Sequence, residues 1–189
     1  MRKKRLAVVL VSVSLLTFLL INTAWAGGNV NFMYGQKELD SDNWEPVESQ
    51  REYGLMLDFK AQNWPISIAA DLLFSEDDDY IGSIKVEGET REINLGVRKY
   101  FSVTDQFKPY IGGGIAWIKG EVSASLFGQS ASEDDSNIGF WISGGAVYTV
   151  AQHFNIGLDL RYSDAEITIA GIDGEAGGTH VLAFAGFHF

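Results

Sequence analysis

The chain contains no cysteine. It can hold no disulfide, no thiolate metal site and no lipid anchor on a cysteine. Proline is scarce, with 3 among 189 residues, so little interrupts a series of paired strands. Positive charge is also short. There are 14 lysines and arginines against 25 aspartates and glutamates, a formal net charge of −11. Without a basic footprint, nucleic acid is not an expected partner. Beyond residue 26 no long apolar run occurs, so no helical membrane span is predicted there. Glycine, by contrast, is plentiful at 21 residues. Few prolines and many glycines suit a strand-rich chain better than a helical bundle.

Residues 1–26 read as a signal peptide. Arg2, Lys3, Lys4 and Arg5 form a positive start, Leu6 to Ile21 is an apolar or small-residue run, and Ala24-Trp25-Ala26 supplies a small-x-small cleavage pattern. A retained anchor is the alternative. The run is short for a span, and the cleavage pattern follows it at once. Residues 27–189 are then expected to form one exported domain.

In that domain, alternation with a period of two recurs eight times. Strands are predicted at 28–37, 51–61, 65–75, 90–102, 108–120, 137–150, 153–163 and 179–189. In the seventh, Phe154, Ile156, Leu158, Leu160 and Tyr162 share one face, and Asn155, Gly157, Asp159, Arg161 and Ser163 share the other. Alternation alone fits a soluble sandwich, whose apolar faces meet in a core. It equally fits a membrane barrel, whose apolar face meets lipid. Three features select the barrel. Most of the strands are long enough for a tilted crossing, which needs ~9–11 residues. Short turns near Gln62-Asn63, Thr104-Asp105 and Ala151-Gln152 alternate with longer loops near 38–50, 76–89, 121–136 and 164–178. Outward aromatics also sort into two belts: Tyr34, Tyr53, Phe74, Trp117, Phe140 and Tyr162 near the loops, and Phe59, Phe101, Tyr148, Phe154, Phe187 and Phe189 near the turns.

The chain closes on a strand with Val181, Ala183, Ala185, Phe187 and Phe189 on one face, and it carries the stretch Pro109-Tyr110-Ile111-Gly112-Gly113-Gly114. In both respects it resembles the outer-membrane β-barrel superfamily, the small eight-stranded barrels related to OmpX and to the transmembrane domain of OmpA. The resemblance covers 27–189. It implies that Phe187 and Phe189 form an assembly signal read by the barrel-assembly machinery. The fold expected is all-β: an eight-stranded antiparallel up-and-down transmembrane β-barrel, monomeric, in the bacterial outer membrane, with both termini periplasmic.

The predicted inward face is rich in charge: Glu52, Asp58, Lys60, Asp71, Glu92, Arg98, Asp159 and Arg161. Buried charges demand partners, so these residues are expected to pair into a polar plug. Asn31, Asn94, Asn155 and Ser143 should join them, with inward glycines leaving room for Trp141 and Phe184. The same residues could instead line a narrow path for ions or small solutes. On the lipid side, Lys99 and Lys119 are the expected exceptions to an uncharged surface, near strand ends where an ammonium can reach the headgroups.

Signals for chemistry are weak. A barrel lipase needs serine, histidine and an acid together. The three histidines are His153 in a turn and His180 and His188 at opposite ends of the last strand. No His-x-Ser-Asn segment like that of the lipid A deacylases is present, so a lipid-modifying enzyme ranks third. No cofactor is called for. Glu76-Asp77-Asp78-Asp79 offers hard oxygen ligands for a divalent cation, but the spacing does not match a 12-residue calcium loop. Apolar residues at Leu126-Phe127 and Ile167 to Ile172 are read as extending the hairpins. The leading function is structural support or surface interaction through the loops. Outer-membrane lipid, lipopolysaccharide and a possible extracellular ligand are the expected partners.

Overall fold

The computed structural model describes residues 25–39, 44–126, 129–169 and 171–189. The predicted leader lies outside them, apart from Trp25 and Ala26 at the start of the first strand. Among the described residues there are ten strands: β1 Trp25–Leu39, β2 Ser49–Ala61, β3 Ser67–Ile81, β4 Ile84–Tyr100, β5 Phe107–Leu126, β6 Gln129–Val150, β7 Phe154–Asp164, β8 Glu166–Ile169, β9 Ile172–Glu175 and β10 Gly178–His188. Eight of them close into a barrel in the order β1-β10-β7-β6-β5-β4-β3-β2. Every neighbouring pair in that barrel is antiparallel. Closure joins the two ends of the chain: Asn29 pairs with His188, and Gly28 and Phe189 exchange backbone hydrogen bonds of 2.8 and 3.1 Å. No sheet edge is left in the barrel wall, as a lipid environment requires.

The alternation in the sequence becomes an inside and an outside. Along β10, Leu182, Phe184 and Gly186 are buried, while Val181, Ala183, Ala185 and Phe187 are exposed. The exposed face is apolar almost throughout, with Phe32, Leu55, Ile93, Leu95, Ile115, Ile142, Leu158 and Leu160 among it. Aromatic neighbours reinforce both belts. Tyr53 and Phe74 stack at 5.8 Å near the loop end. Phe154 and Phe187 meet edge-on at 5.9 Å near the turn end.

The loop end is more ordered than the sequence implies. The segments expected as loops at 76–89 and 121–136 are largely strand. The β2–β3 pairing ends at Arg51 and Glu76. The β3–β4 ladder continues to Ile81 and Ile84 around Gly82, whose φ of +65° suits glycine. The β4–β5 ladder reaches Lys85 and Ser125, and β5–β6 reaches Leu126 and Gln129. Four strands therefore run past their neighbours as one protruding sheet. Against its β6 strand, β8 and β9 form a hairpin, where Thr168 N–H donates to Asp135 Oδ2 and Asn137 Nδ2 to the Glu166 carbonyl.

Candidate functional site

Buried side chains occupy the barrel interior in layers, which can be read from the turn end upward. Lowest is an amide layer. Asn155 Nδ2 donates to Asn29 Oδ1 at 2.8 Å, and Asn29 Nδ2 donates to Asp58 Oδ1 at 2.7 Å. The Tyr100 hydroxyl reaches Asp58 at 2.7 Å, and the Tyr110 hydroxyl reaches Asp159 at 2.7 Å. Met33, Met56, Leu73, Leu182 and Phe184 pack beside Tyr110.

The next layer is ionic. Asp71 Oδ2 accepts from Arg161 Nη2 at 2.6 Å and from Arg98 Nη2 at 2.7 Å. β7 and β3 lie four places apart in the ring of eight, so the Arg161–Asp71 pair spans the full width of the lumen. Arg161 Nε also binds Asp159 at 3.2 Å, and Arg98 Nη1 lies 3.5 Å from Asp58. The Trp141 ring sits under both cations, with guanidinium carbons 4.9 and 5.9 Å from its centre. Glycine makes this crowding possible. A Cβ at Gly112 would stand 3.1 Å from the Trp141 ring, and one at Gly145 would stand 2.5 Å from the Tyr110 hydroxyl.

Above that, Lys37 Nζ spends its three protons on Glu92 Oε1 at 2.8 Å, Thr90 Oγ1 at 3.0 Å and the Ala176 carbonyl at 2.7 Å. His180 Nδ1 lies 2.8 Å from Glu52 Oε2, and His180 Nε2 lies 2.9 Å from Ser163 Oγ. The order Ser163–His180–Glu52 matches a nucleophile–base–acid line in its distances. Yet the Ser163 hydroxyl donates to Glu92 Oε1 at 2.9 Å, so its proton is directed away from the imidazole. All three side chains are fully buried, out of reach of an acyl substrate. An apolar lid of Trp44, Val47, Ala165, Ile167 and Ala176 covers this layer. Trp44 Nε1 ties it to the Glu175 carbonyl at 2.8 Å.

Of the eight charges expected inside, Glu52, Asp58, Asp71, Glu92, Arg98, Asp159 and Arg161 are buried in these layers. Lys60 is not; it is exposed at the end of β2, opposite Gly27 at a register shift. There the ammonium keeps its hydration instead of entering the packed interior. Lys37, Gln50, Thr90 and Tyr110 were missed. Lys37 shares the parity of Asn31 and Met33 on β1, so continuing the alternation to the end of that strand would have found it.

The acidic run is not a loop. It lies within β3, where alternation puts Glu76 and Asp78 on one face and Asp77 and Asp79 on the other, so the four carboxylates do not converge. Among the described residues, no group of three or more histidine or acidic side chains is placed to hold a metal ion. Lys99 is exposed near the turn end, its ammonium 5.4 Å from the Phe101 ring centre. Lys119 pairs with Asp134 at 2.8 Å. Two outward bases were not anticipated, Arg51 and Arg91 at the loop end.

A closed ring of eight strands with an apolar outer face and a polar, side-chain-filled interior defines a transmembrane β-barrel. Residues 6–189 match the family described as outer membrane protein beta-barrel domain. The chain belongs to that family and is a small outer-membrane β-barrel. No curated protein matches it. Among solved structures, it is similar to Ail, the attachment invasion locus protein of Yersinia pestis, in complex with the heparin analogue sucrose octasulfate (17% identity, 86% of this chain and 98% of that one, TM-score 0.62). It is also similar to OprG from Pseudomonas aeruginosa (15% identity, 89% and 98%, TM-score 0.64). A third likeness is to Neisserial surface protein A (14% identity, 86% and 96%, TM-score 0.56). At these identities the likeness establishes the fold alone.

Proposed function

We propose that this protein is a sealed, non-enzymatic barrel that acts at the cell surface through its protruding sheet and loops. In this reading residues 1–26 are removed on export, Phe187 and Phe189 are read by the barrel-assembly machinery, the protein is a monomer, and both termini face the periplasm. The observation that carries it is the filled lumen. Arg161–Asp71 at one level, and Lys37–Glu92 and His180–Glu52 together at the next, join different parts of the wall, and an apolar lid lies over them. Chemistry and conduction both need access that this packing denies.

The partner's chemistry follows from charge. The protruding strands and the β8–β9 hairpin carry Glu76, Asp77, Asp78, Asp79, Glu87, Glu89, Glu121, Glu133, Asp134, Asp135, Glu166, Asp173 and Glu175, against Lys85, Arg91 and Lys119. Ail was solved with a sulfated, polyanionic heparin analogue. A polyanion would be repelled by these hairpins, so a basic partner surface is favoured.

Conductance tests the sealed lumen. The protein in a planar bilayer should be silent, and the Arg98→Ala, Arg161→Ala double variant should conduct. Discrete, reproducible openings in the wild type would refute the proposal and favour the narrow-pore alternative.

A further inference from the structure

The loop-end mouth of the lumen, directly under the apolar lid, holds four buried ionisable side chains: Lys37, Glu52, Glu92 and His180. They sit at the upper edge of the wall. Glu52 is one place past Tyr53 toward the loops on β2, Ser163 one place past Tyr162 on β7, and Lys37 three places past Tyr34 on β1. This is the layer that the lid residues Trp44, Val47 and Ala176 separate from solvent.

Hydrogen bonding fixes the state of the imidazole. Its Nδ1 lies 3.0 and 2.8 Å from the two carboxylate oxygens of Glu52. An ionised carboxylate only accepts, so Nδ1 carries a proton. Its Nε2 lies 2.9 Å from Ser163 Oγ. The single proton of that hydroxyl goes to Glu92 Oε1 at 2.9 Å, so Ser163 Oγ accepts from the ring and Nε2 carries a proton as well. Both acids are surrounded by donors, as ionised carboxylates require. Ser75 donates to Glu52 Oε1 at 3.0 Å. Lys37 donates to Glu92 Oε1 at 2.8 Å, and Asn94 donates to Glu92 Oε2 at 3.2 Å.

A doubly protonated ring makes this layer neutral, with Lys37 and His180 against Glu52 and Glu92. The other elements around it supply no spare charge. β3 brings Ser75, β4 brings Thr90 beside Glu92, β5 and β6 bring the apolar Ile118 and Trp141, and the lid brings the Ala176 carbonyl. From β7 comes Arg161, the register partner of His180. Its guanidinium is committed below, to Asp71 at 2.6 Å and Asp159 at 3.2 Å. We infer that the lid is proton-locked: His180 closes the mouth as an imidazolium, and loss of its proton releases the lid. Without that proton, Glu52 is an ionised carboxylate in a dry site with no cation beside it, which is costly. Lys37 already gives its three protons to Glu92, Thr90 and the Ala176 carbonyl. Relief comes from water, and the ionic layer underneath leaves the loop side as its way in. Water enters there by displacing Trp44, Val47 and Ala176. Closure is therefore complete at neutral pH and lost as pH rises. The inference rests on the sealed-lumen reading, with Arg161–Asp71 still closing the barrel when the lid lifts.

Heteronuclear NMR of the full protein in detergent micelles, with nitrogen-labelled histidine and tryptophan, tests the lock. At neutral pH both ring nitrogens of His180, assigned by their loss in His180→Gln, should be protonated. A single protonated nitrogen would overturn the inference. The lid is read from solvent exchange of the Trp44 indole N–H, which donates to the Glu175 carbonyl at 2.8 Å. At the same pH, His180→Gln should speed that exchange about tenfold or more, as loss of a charge-assisted hydrogen bond implies. Adding Glu52→Gln removes the stranded carboxylate and should restore slow exchange. An unchanged rate in the single variant, or no recovery in the double, would sink the lock. The wild type gives a check that needs no substitution. As pH is raised, the Trp44 indole resonance should move in step with loss of the His180 proton, and a resonance indifferent to that titration would overturn the switch. Bilayer conductance separates the two readings. Wild type and His180→Gln should both be silent, because the ionic layer is intact in each. Openings in the wild type refute the sealed lumen, whereas silence with an indifferent Trp44 refutes the proton lock alone.

Discussion

Asp71 offers the sharpest test of the ionic layer. Its Oδ2 atom accepts from two guanidinium groups, Arg161 at 2.6 Å and Arg98 at 2.7 Å. In Asp71→Ala, Arg98 would keep the longer 3.5 Å contact to Asp58 and Arg161 its 3.2 Å contact to Asp159. Both cations are fully buried and would face each other across Trp141. Breaking a buried ionic arrangement by removing one partner costs about 3–5 kcal/mol, mostly because a charge is stranded. The variant should lose that much unfolding free energy in urea titrations in detergent micelles, followed by tryptophan fluorescence and by the gel shift between folded and unfolded forms. Adding Arg161→Leu should restore part of the loss, since one stranded charge is then removed. A loss below about 1 kcal/mol, the level of an exposed pair, or strict additivity in the double variant would refute this account of the lumen.

Two adjacent glycines should respond in opposite directions. Gly145→Ala drives a methyl to 2.5 Å from the Tyr110 hydroxyl, and overpacking of this kind costs about 1–3 kcal/mol. Gly144→Ala meets only the Tyr110 carbonyl oxygen at 3.9 Å and should be neutral or stabilising by up to about 1 kcal/mol. Urea midpoints in the same micelles compare them directly. At the loop end, backbone N–H groups of Thr168 and Ser136, in that order of effect, hold the Asp135 carboxyl below its ordinary range. A depressed carboxylate stabilises the fold above the unfolded-state pKa, and that stabilisation is lost as pH falls through the lower folded-state value. The Thr168 amide should thus stay protected from hydrogen exchange down to about pH 4, near the reference aspartate value, and lose protection only below it. Asp135→Asn should remove this pH step, and a step that survives the substitution would show that another group causes it.

The barrel was legible because its signal is local. Period-two alternation requires only that each residue know its neighbours, and strands such as Phe154–Asp164 carry it without interruption. The belts were legible for the same reason, since an outward aromatic near a strand end reaches the interface whatever its neighbours are. Strand ends were harder to read. Asp77, Asp78 and Asp79 have low strand propensity, yet they lie in β3 because Gly88, Glu87 and Val86 pair with them. That pairing is in turn held by the β4–β5 ladder. Lys60 failed for the opposite reason. Its parity is inward, but the last rung of a barrel strand can remain wet.

The sequence alone was enough to assign the architecture, the number of wall strands, the lipid-facing side and most of the buried charges, because alternation, strand and loop lengths and the placement of aromatics are all read along single strands and their connections. Only the tertiary structure decided which charges meet. Arg161 and Asp71 are ninety residues apart and become partners when strands on opposite sides of a closed ring point inward at one height. The same holds for the protruding sheet and for the lid hung on Lys37. Each depends on register between strands, and register is a property of the closed ring.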